Sequence, residues 1–167
     1  MGYPMAGHLA KAGHHVNVYN RTAAKAEQWH AEFGGTIAPT PARAASQADI
    51  VFSCVGNDAD VRDVILGTQG ALGGVAANAI MVDHTTASAS LARDIASQAA
   101  ARGIGFIDAP LSGGQAGAEN GHLTIMAGGD AKTFAAVRPV MAAYSRNITL
   151  IGPTGSGQLA KMVNQIC

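Results

Sequence analysis

Short apolar runs alternate with helix-patterned stretches along almost the whole chain, and no other feature limits the fold as strongly. Residues 16–19, 50–54, 80–83, 105–108, 123–127 and 148–151 read as strands. Residues 22–32, with Thr22 as candidate N-cap, 58–66, 88–102 and 130–143 read as helices between them. In the second of these helices Val61, Val64 and Ile65 share a face. Brief buried strands separated by helices predict an α/β fold with a doubly wound, mostly parallel sheet. A length of 167 residues suits one domain, and an apolar content of 48% can fill its core.

The start of the pattern is unusual. Residues 1–12 read as a helix with Pro4 in its first turn, and no strand comes before it. A doubly wound nucleotide-binding sheet opens on a strand, then a glycine-rich turn, then such a helix. The expectation is a sheet lacking its first strand. A central strand with about four buried side chains, at ~1.5–3 kcal/mol each, contributes ~6–12 kcal/mol. Whole domains are stable by only ~5–15 kcal/mol. The stretch is therefore expected not to fold stably alone.

Composition removes several function classes. Formal net charge is zero and no run of Lys or Arg suggests a nucleic-acid surface. No apolar stretch has membrane-spanning length, and the N-terminus lacks a signal-peptide pattern, so a soluble, cytoplasmic protein is expected. Met1-Gly2 is not a myristoylation start, because Ala6 stands where Ser or Thr is required. Cys54 ends an apolar run and is expected in a core; with Cys167 far away, no disulfide framework is expected. Six histidines show no ligand spacing, so no metal site is expected.

Four segments carry candidate chemistry. Met1-Gly2-Tyr3-Pro4-Met5-Ala6 reads as the tail of a G-x-G-x-x-G turn. Gly2 would then be the glycine that permits close helix–strand packing, at a helix N-terminus that attracts pyrophosphate. Asn20-Arg21-Thr22 follows the first strand, where an acidic residue would hold the adenosine ribose of NAD. The acid is replaced by Arg21, whose guanidinium suits a 2′-phosphate, so NADP is favoured over NAD; the alternative is a helix cap with a solvated Arg. Asp108 to Gly114, continuing to Gly117 and Gly121, follows a strand and offers the Ser112 hydroxyl with glycine N–H groups as a carboxylate nest, or else is a flexible surface loop. In the segment from Gly155 to Gln165, two glycines open a helix on which Lys161, Asn164 and Gln165 share a face, while Leu159, Met162, Val163 and Ile166 are expected to pack. A lone Lys on a helix is ordinarily a solvated surface charge; one beside two amides and turned into a cleft is fitted for acid–base work.

The order of these motifs resembles the β-hydroxyacid dehydrogenase family, of the 3-hydroxyisobutyrate dehydrogenase type, along essentially the whole chain. The carriers are Met1-Gly2-x-x-Met5-Ala6, the Asp108 to Gly121 segment, and Gly155-x-Gly157-x-x-x-Lys161. The resemblance implies a Rossmann-type NAD(P)-binding domain over 1–152, with 153–167 opening an interdomain helix toward an all-α domain that this stretch lacks. Lys161 would be the general acid/base, with Asn164 beside it. Ser112, Gly113, Gly114 and Gln165 would hold a small hydroxy acid or semialdehyde. Met1, Gly2, Asn20, Arg21, Thr22, Val55, Gly56, Asn57 and Thr86 would line the cofactor. Val55-Gly56 departs from the family's usual Leu-Pro, and His122 from a common Thr. The implied reaction is reversible hydride transfer with NADP or NAD, in a homodimer or homotetramer. An imine reductase relative, a non-catalytic dinucleotide-binding module and a methyltransferase are the competing readings. Lys161 counts against each of them.

Overall fold

The structure is a computed structural model and describes residues 1–166; Cys167 lies outside the described residues. Helix α1 (Gly2–Lys11) leads into β1 (Asn17–Val18), α2 (Ala23–Phe33), β2 (Thr36–Ile37) and α3 (Pro41–Ala45). β3 (Ile50–Ser53) then runs into α4 (Asp58–Val61), a π-helical turn (Arg62–Leu66) and α5 (Ala71–Gly74). β4 (Ile80–Asp83), α6 (Ala89–Ala100) and β5 (Gly105–Asp108) follow. The last part comprises β6 (Leu111–Ser112), α7 (Gly114–Glu119), β7 (Leu123–Gly129), α8 (Ala131–Met141), β8 (Ser145–Gly152) and α9 (Ser156–Ile166).

The strands form two ladders. β1 pairs with β2 in parallel, while β3, β4 and β5 run parallel in the larger sheet. β7 returns antiparallel to β5 and β6, and β8 lies parallel to β7. The sheet is thus mostly parallel, as expected. Among the described residues no strand precedes α1, and no strand joins the β1–β2 ladder to the larger one.

Side-chain alternation makes the sheet doubly wound. Met81 and Phe106 point into one core, with Val61, Ile65, Leu91 and Ile95 from α4, the π-helical turn and α6. Their neighbours Val82 and Ile107 point into the other, with Met5 and Leu9 of α1 and Val137 and Met141 of α8. The face predicted for residues 58–66 holds: Val61 and Ile65 are buried and Val64 packs against them.

Several local expectations need correction. The first strand is two residues long rather than four. Thr22 takes the N-cap position of α2 but its hydroxyl makes no capping bond; instead its N–H donates to Asn20 Oδ1 at 2.9 Å. The glycine-rich segment after Asp108 is not a structureless loop, because it holds β6 and α7. β2, α3 and α5 had no counterpart in the sequence reading. Close packing in α1 falls on Gly7, where a methyl would sit 2.6 Å from the Phe33 ring, whereas at Gly2 it would meet Cys54 at an ordinary 3.5 Å. Cys54 is half-buried in a cleft rather than in a core. Leu159, Met162, Val163 and Ile166 are 45–79% exposed, so that side of α9 does not pack on the described residues. No helix among the described residues is long and apolar enough to cross a membrane.

Candidate active site

β3, β4 and β5 end at the same edge of the sheet, and the loops leaving them meet there. Their last residues, Ser53, Asp83 and Asp108, stand in register across the three strands. A cleft of about 280 Å³ opens over this edge, lined by Met1, Cys54, Val55, Gly56, His84, Thr85, Thr86, Leu111, Ser112, Gly113, Gly114 and Lys161. Ligands of open parallel sheets bind outside the carboxyl ends of the strands.

The floor of the cleft is a buried polar layer. The Ser53 hydroxyl donates to Asp83 Oδ1 at 2.8 Å, and the Thr85 N–H donates to the same oxygen at 3.1 Å. The Thr85 hydroxyl accepts from the Val55 N–H at 3.0 Å, which joins the loop after β3 to the loop after β4. Burial pushes the Asp83 carboxyl up to about 6, against the lowering effect of the Ser53 and Thr85 hydrogen bonds. His84 is fully enclosed. Its Nδ1 lies 2.6 Å from the Ala109 carbonyl, which only accepts, so Nδ1 carries the proton. Nε2 then accepts from the Tyr144 hydroxyl at 2.8 Å, and the ring stacks on Phe52 at 5.7 Å. Burial holds this imidazole down at about 4.

α9 enters the cleft through two anchors. Asp108 is fully buried, and its carboxylate accepts from the Gly155 N–H at 2.7 Å and the Gln158 N–H at 3.0 Å. These are donors that a helix start leaves without intrahelical partners. The Gln158 side chain is the second anchor. It donates to the Thr85 carbonyl at 2.7 Å and accepts from the Ala87 N–H at 3.0 Å, tying α9 to the loop after β4. One turn beyond, Lys161 is 9% exposed and reaches the cleft. No carboxylate lies within ion-pairing distance of it among the described residues.

Ser112 and the two glycines complete the opposite wall. Gly113 and Gly114 have φ of +124° and +60°, in the left-handed region that side chains avoid. The chain can therefore turn from β6 into α7 with its backbone lying open in the cleft.

The predicted residues separate into three groups. The structure brings Lys161, Ser112, Gly113, Gly114, Val55, Gly56, Thr86 and Met1 together in the cleft. Asn164 and Gln165, a turn further along α9, are exposed and outside the lining. Gly2, Asn20, Arg21, Thr22 and Asn57 also lie outside it. Asn57 caps α4, its Oδ1 accepting from the Asp60 N–H at 3.0 Å. Arg21 is 82% exposed and bonds Asp60 at 3.0 Å. The sequence reading missed the anchoring by Asp108 and Gln158 and the role of Asp83, although a carboxylate closing each of two apolar strands was a visible signal. No cluster of metal-ligating side chains occurs among the described residues.

The loops after β3 and β4, which bear Val55, Gly56 and Thr86, leave an open sheet edge that fits a dinucleotide, while the left-handed glycines, the Ser112 hydroxyl and an ammonium without a carboxylate partner among the described residues offer donors to an anionic ligand in the same cleft.

Comparison with known proteins gives the same picture. Residues 1–152 match the model of the NAD-binding domain of 6-phosphogluconate dehydrogenase. An uncharacterised oxidoreductase of Shewanella frigidimarina is 62% identical over 100% of the chain and 57% of its own length. The 3-hydroxyisobutyrate dehydrogenase of Pseudomonas aeruginosa is 39% identical, over 99% of the chain and 55% of the enzyme. The 3-hydroxyisobutyrate dehydrogenase of Mycobacterium tuberculosis, solved with L-serine, superposes with a TM-score of 0.92 at 31% identity, covering 99% of the chain and 56% of that protein. The chain thus spans little more than half the length of these relatives. It belongs to the family of the NAD-binding domain of 6-phosphogluconate dehydrogenase, among its 3-hydroxyisobutyrate dehydrogenase-like members.

Proposed function

We propose that the whole protein is a dehydrogenase that moves a hydride between NADP or NAD and a small β-hydroxy acid or its semialdehyde. One observation carries this reading: Lys161 is buried in the same cleft as Thr86 and the Ser112–Gly113–Gly114 turn, without a carboxylate partner among the described residues. An ammonium that opens into a cleft without a carboxylate partner among the described residues favours an anionic ligand there.

Met1, Val55, Gly56 and Thr86 would line the nicotinamide end of the cofactor. Gly2, Asn20, Arg21, Thr22 and Asn57 would lie along its pyrophosphate and adenosine. When bound, the nicotinamide supplies or takes up the hydride. Ser112 and the Gly113 and Gly114 N–H groups hold the substrate carboxylate, which places the carbinol oxygen toward Lys161. The Lys161 ammonium donates a proton to that oxygen in reduction, and its amine removes the proton in oxidation. Asn164 and Gln165 act from the outer turn of α9, positioning substrate. Asp108 and Gln158 keep Nζ in register with the cofactor loop, so its distance to the oxygen is preset. A cytoplasmic homodimer or homotetramer belongs to the same reading.

The test is Lys161→Ala in the whole protein, assayed on short hydroxy acids and semialdehydes. Turnover should fall by at least about a hundredfold, the scale of a lost general acid/base. NADPH and NADH should still bind. Unchanged turnover would overturn the role of Lys161.

A further inference from the structure

Arg21 is the residue from which a preference for the 2′-phosphate of NADP was read, and in the structure it already has a partner. Its guanidinium donates to Asp60 Oδ1 at 3.0 Å. The other oxygen of that carboxylate lies against the cofactor loop: a methyl group placed on Gly56 would sit 2.6 Å from Asp60 Oδ2. Asp60 is only 26% exposed, whereas Arg21 is 82% exposed. The acid is therefore the better-held half of the pair. Asn57 fixes its backbone through the capping bond to the Asp60 N–H. The carboxylate thus stands between the loop after β1 and the loop after β3, the two segments assigned to the cofactor.

We propose that Asp60 sets cofactor selectivity by offsetting the charge of Arg21. This rests on the reading that the adenosine end of the dinucleotide lies against Arg21. A 2′-phosphate arriving there must share or displace the bond to Asp60, and it meets a second negative charge held nearby. NADH brings no phosphate at that position and meets neither cost. The protein therefore accepts both cofactors, and the NADP preference expected from Arg21 alone is blunted. The acidic residue missing from the end of β1, where NAD-selective sheets carry it, is in effect supplied by α4.

The test compares wild type, Asp60→Asn and Arg21→Ala in the whole protein by the Kd of NADPH and of NADH, read from the fluorescence of the bound reduced nicotinamide. Asn matches Asp in shape and leaves the backbone cap in place, so folding is preserved. The near-ultraviolet circular dichroism of each variant checks this. Asp60→Asn should tighten NADPH by about three- to tenfold, the scale of removing one charge a few ångströms from a phosphate in partly screened surroundings. NADH should move by less than about twofold. The gain should shrink between low and high salt, because exposed charges are screened. Arg21→Ala should weaken NADPH selectively. An unchanged NADPH/NADH ratio in Asp60→Asn overturns the inference, and so does an equal shift of both constants, which marks a purely structural role. If wild type binds neither dinucleotide, or if Arg21→Ala weakens both equally, the adenosine reading fails and takes the inference with it.

Discussion

Asp83 and His84 are adjacent in the chain, both buried, and titrate in opposite senses. Burial raises the Asp83 carboxyl from 3.8 to about 6 and lowers the His84 imidazole from 6.5 to about 4. At about 1.36 kcal/mol per unit, each shift corresponds to about 3 kcal/mol. For Asp83, the native state keeps a proton that the unfolded chain has already lost. Its stabilising contribution is complete below pH 3.8 and is lost as pH rises through about 6. For His84, the native state refuses a proton that the unfolded chain accepts. Its cost is complete below about pH 4 and is gone above pH 6.5, so stability rises with pH across the same window. The two slopes nearly cancel in the wild type. Asp83→Asn removes one of them and keeps an amide oxygen to accept from the Ser53 hydroxyl and the Thr85 N–H. The unfolding free energy of the variant, minus that of wild type, should rise by about 3 kcal/mol between about pH 4 and about pH 7. Contributions of all other carboxylates drop out of this difference. Urea unfolding at closely spaced pH values, followed by fluorescence of Trp29, the sole tryptophan and 2% exposed, measures it. Parallel profiles for variant and wild type would refute the reasoning.

Further outcomes rest on other contacts. Asp108→Ala strips the Gly155 and Gln158 N–H groups of their acceptor, at about 1–3 kcal/mol per orphaned donor, so urea unfolding should register a loss of about 2–6 kcal/mol, with Asp108→Asn milder. Gly157→Ala places a methyl 2.8 Å from the Asp108 carbonyl oxygen and should cost about 1–3 kcal/mol in the same assay; at Gly73, where nothing lies within 4 Å, the change should stabilise by about 0.4–1 kcal/mol. Arg62→Ala breaks an ion pair with Asp94 whose partners are 54% and 43% exposed, and thermal or urea unfolding should move by no more than about 1 kcal/mol.

What was legible in the sequence follows from how far each signal reaches. β4 and β5 are largely buried from both sides and β3 is half-buried, so all three are written as apolar runs and are located to within a residue or two. β2 is two residues long and exposed on both, so it has no apolar pattern to read. α7 is spelled with two glycines among six residues, a composition that argues against helix; it forms because Ala118 packs into the core and the His8 imidazole lies 3.0 Å from the Ala118 and Glu119 carbonyls at its end. The exposed apolar side of α9 was misread for a related reason. Periodicity reports that one side of a helix is apolar, but not whether the described residues supply a surface for it. The charge of Arg21 was legible too, whereas its partner Asp60, 39 residues away, was not.

The spacing Gly155-x-Gly157-x-x-x-Lys161 now has a physical account, residue by residue. Gly155 has a φ of +90°, so it can turn the chain off β8 while presenting its N–H to Asp108. Gly157 carries no side chain because the helix starts flush against the sheet, with the Met126 and Asp108 carbonyls in the way of any Cβ. Gln158 follows at the position from which its backbone reaches Asp108 and its side chain reaches Thr85 and Ala87. Lys161 comes three residues after Gln158, close to one helical turn, and so projects along the same side toward the cleft. Each element of the motif solves a different part of one problem, which is to seat a helix rigidly enough that a long, flexible side chain arrives at a set place. Asp108 links the two sides of the site because it ends β5, the strand that leads into the Ser112–Gly114 turn. The carboxylate that seats the helix of Lys161 and the proposed substrate cradle thus hang from one buried strand end, so their separation is fixed by backbone rather than by a mobile loop.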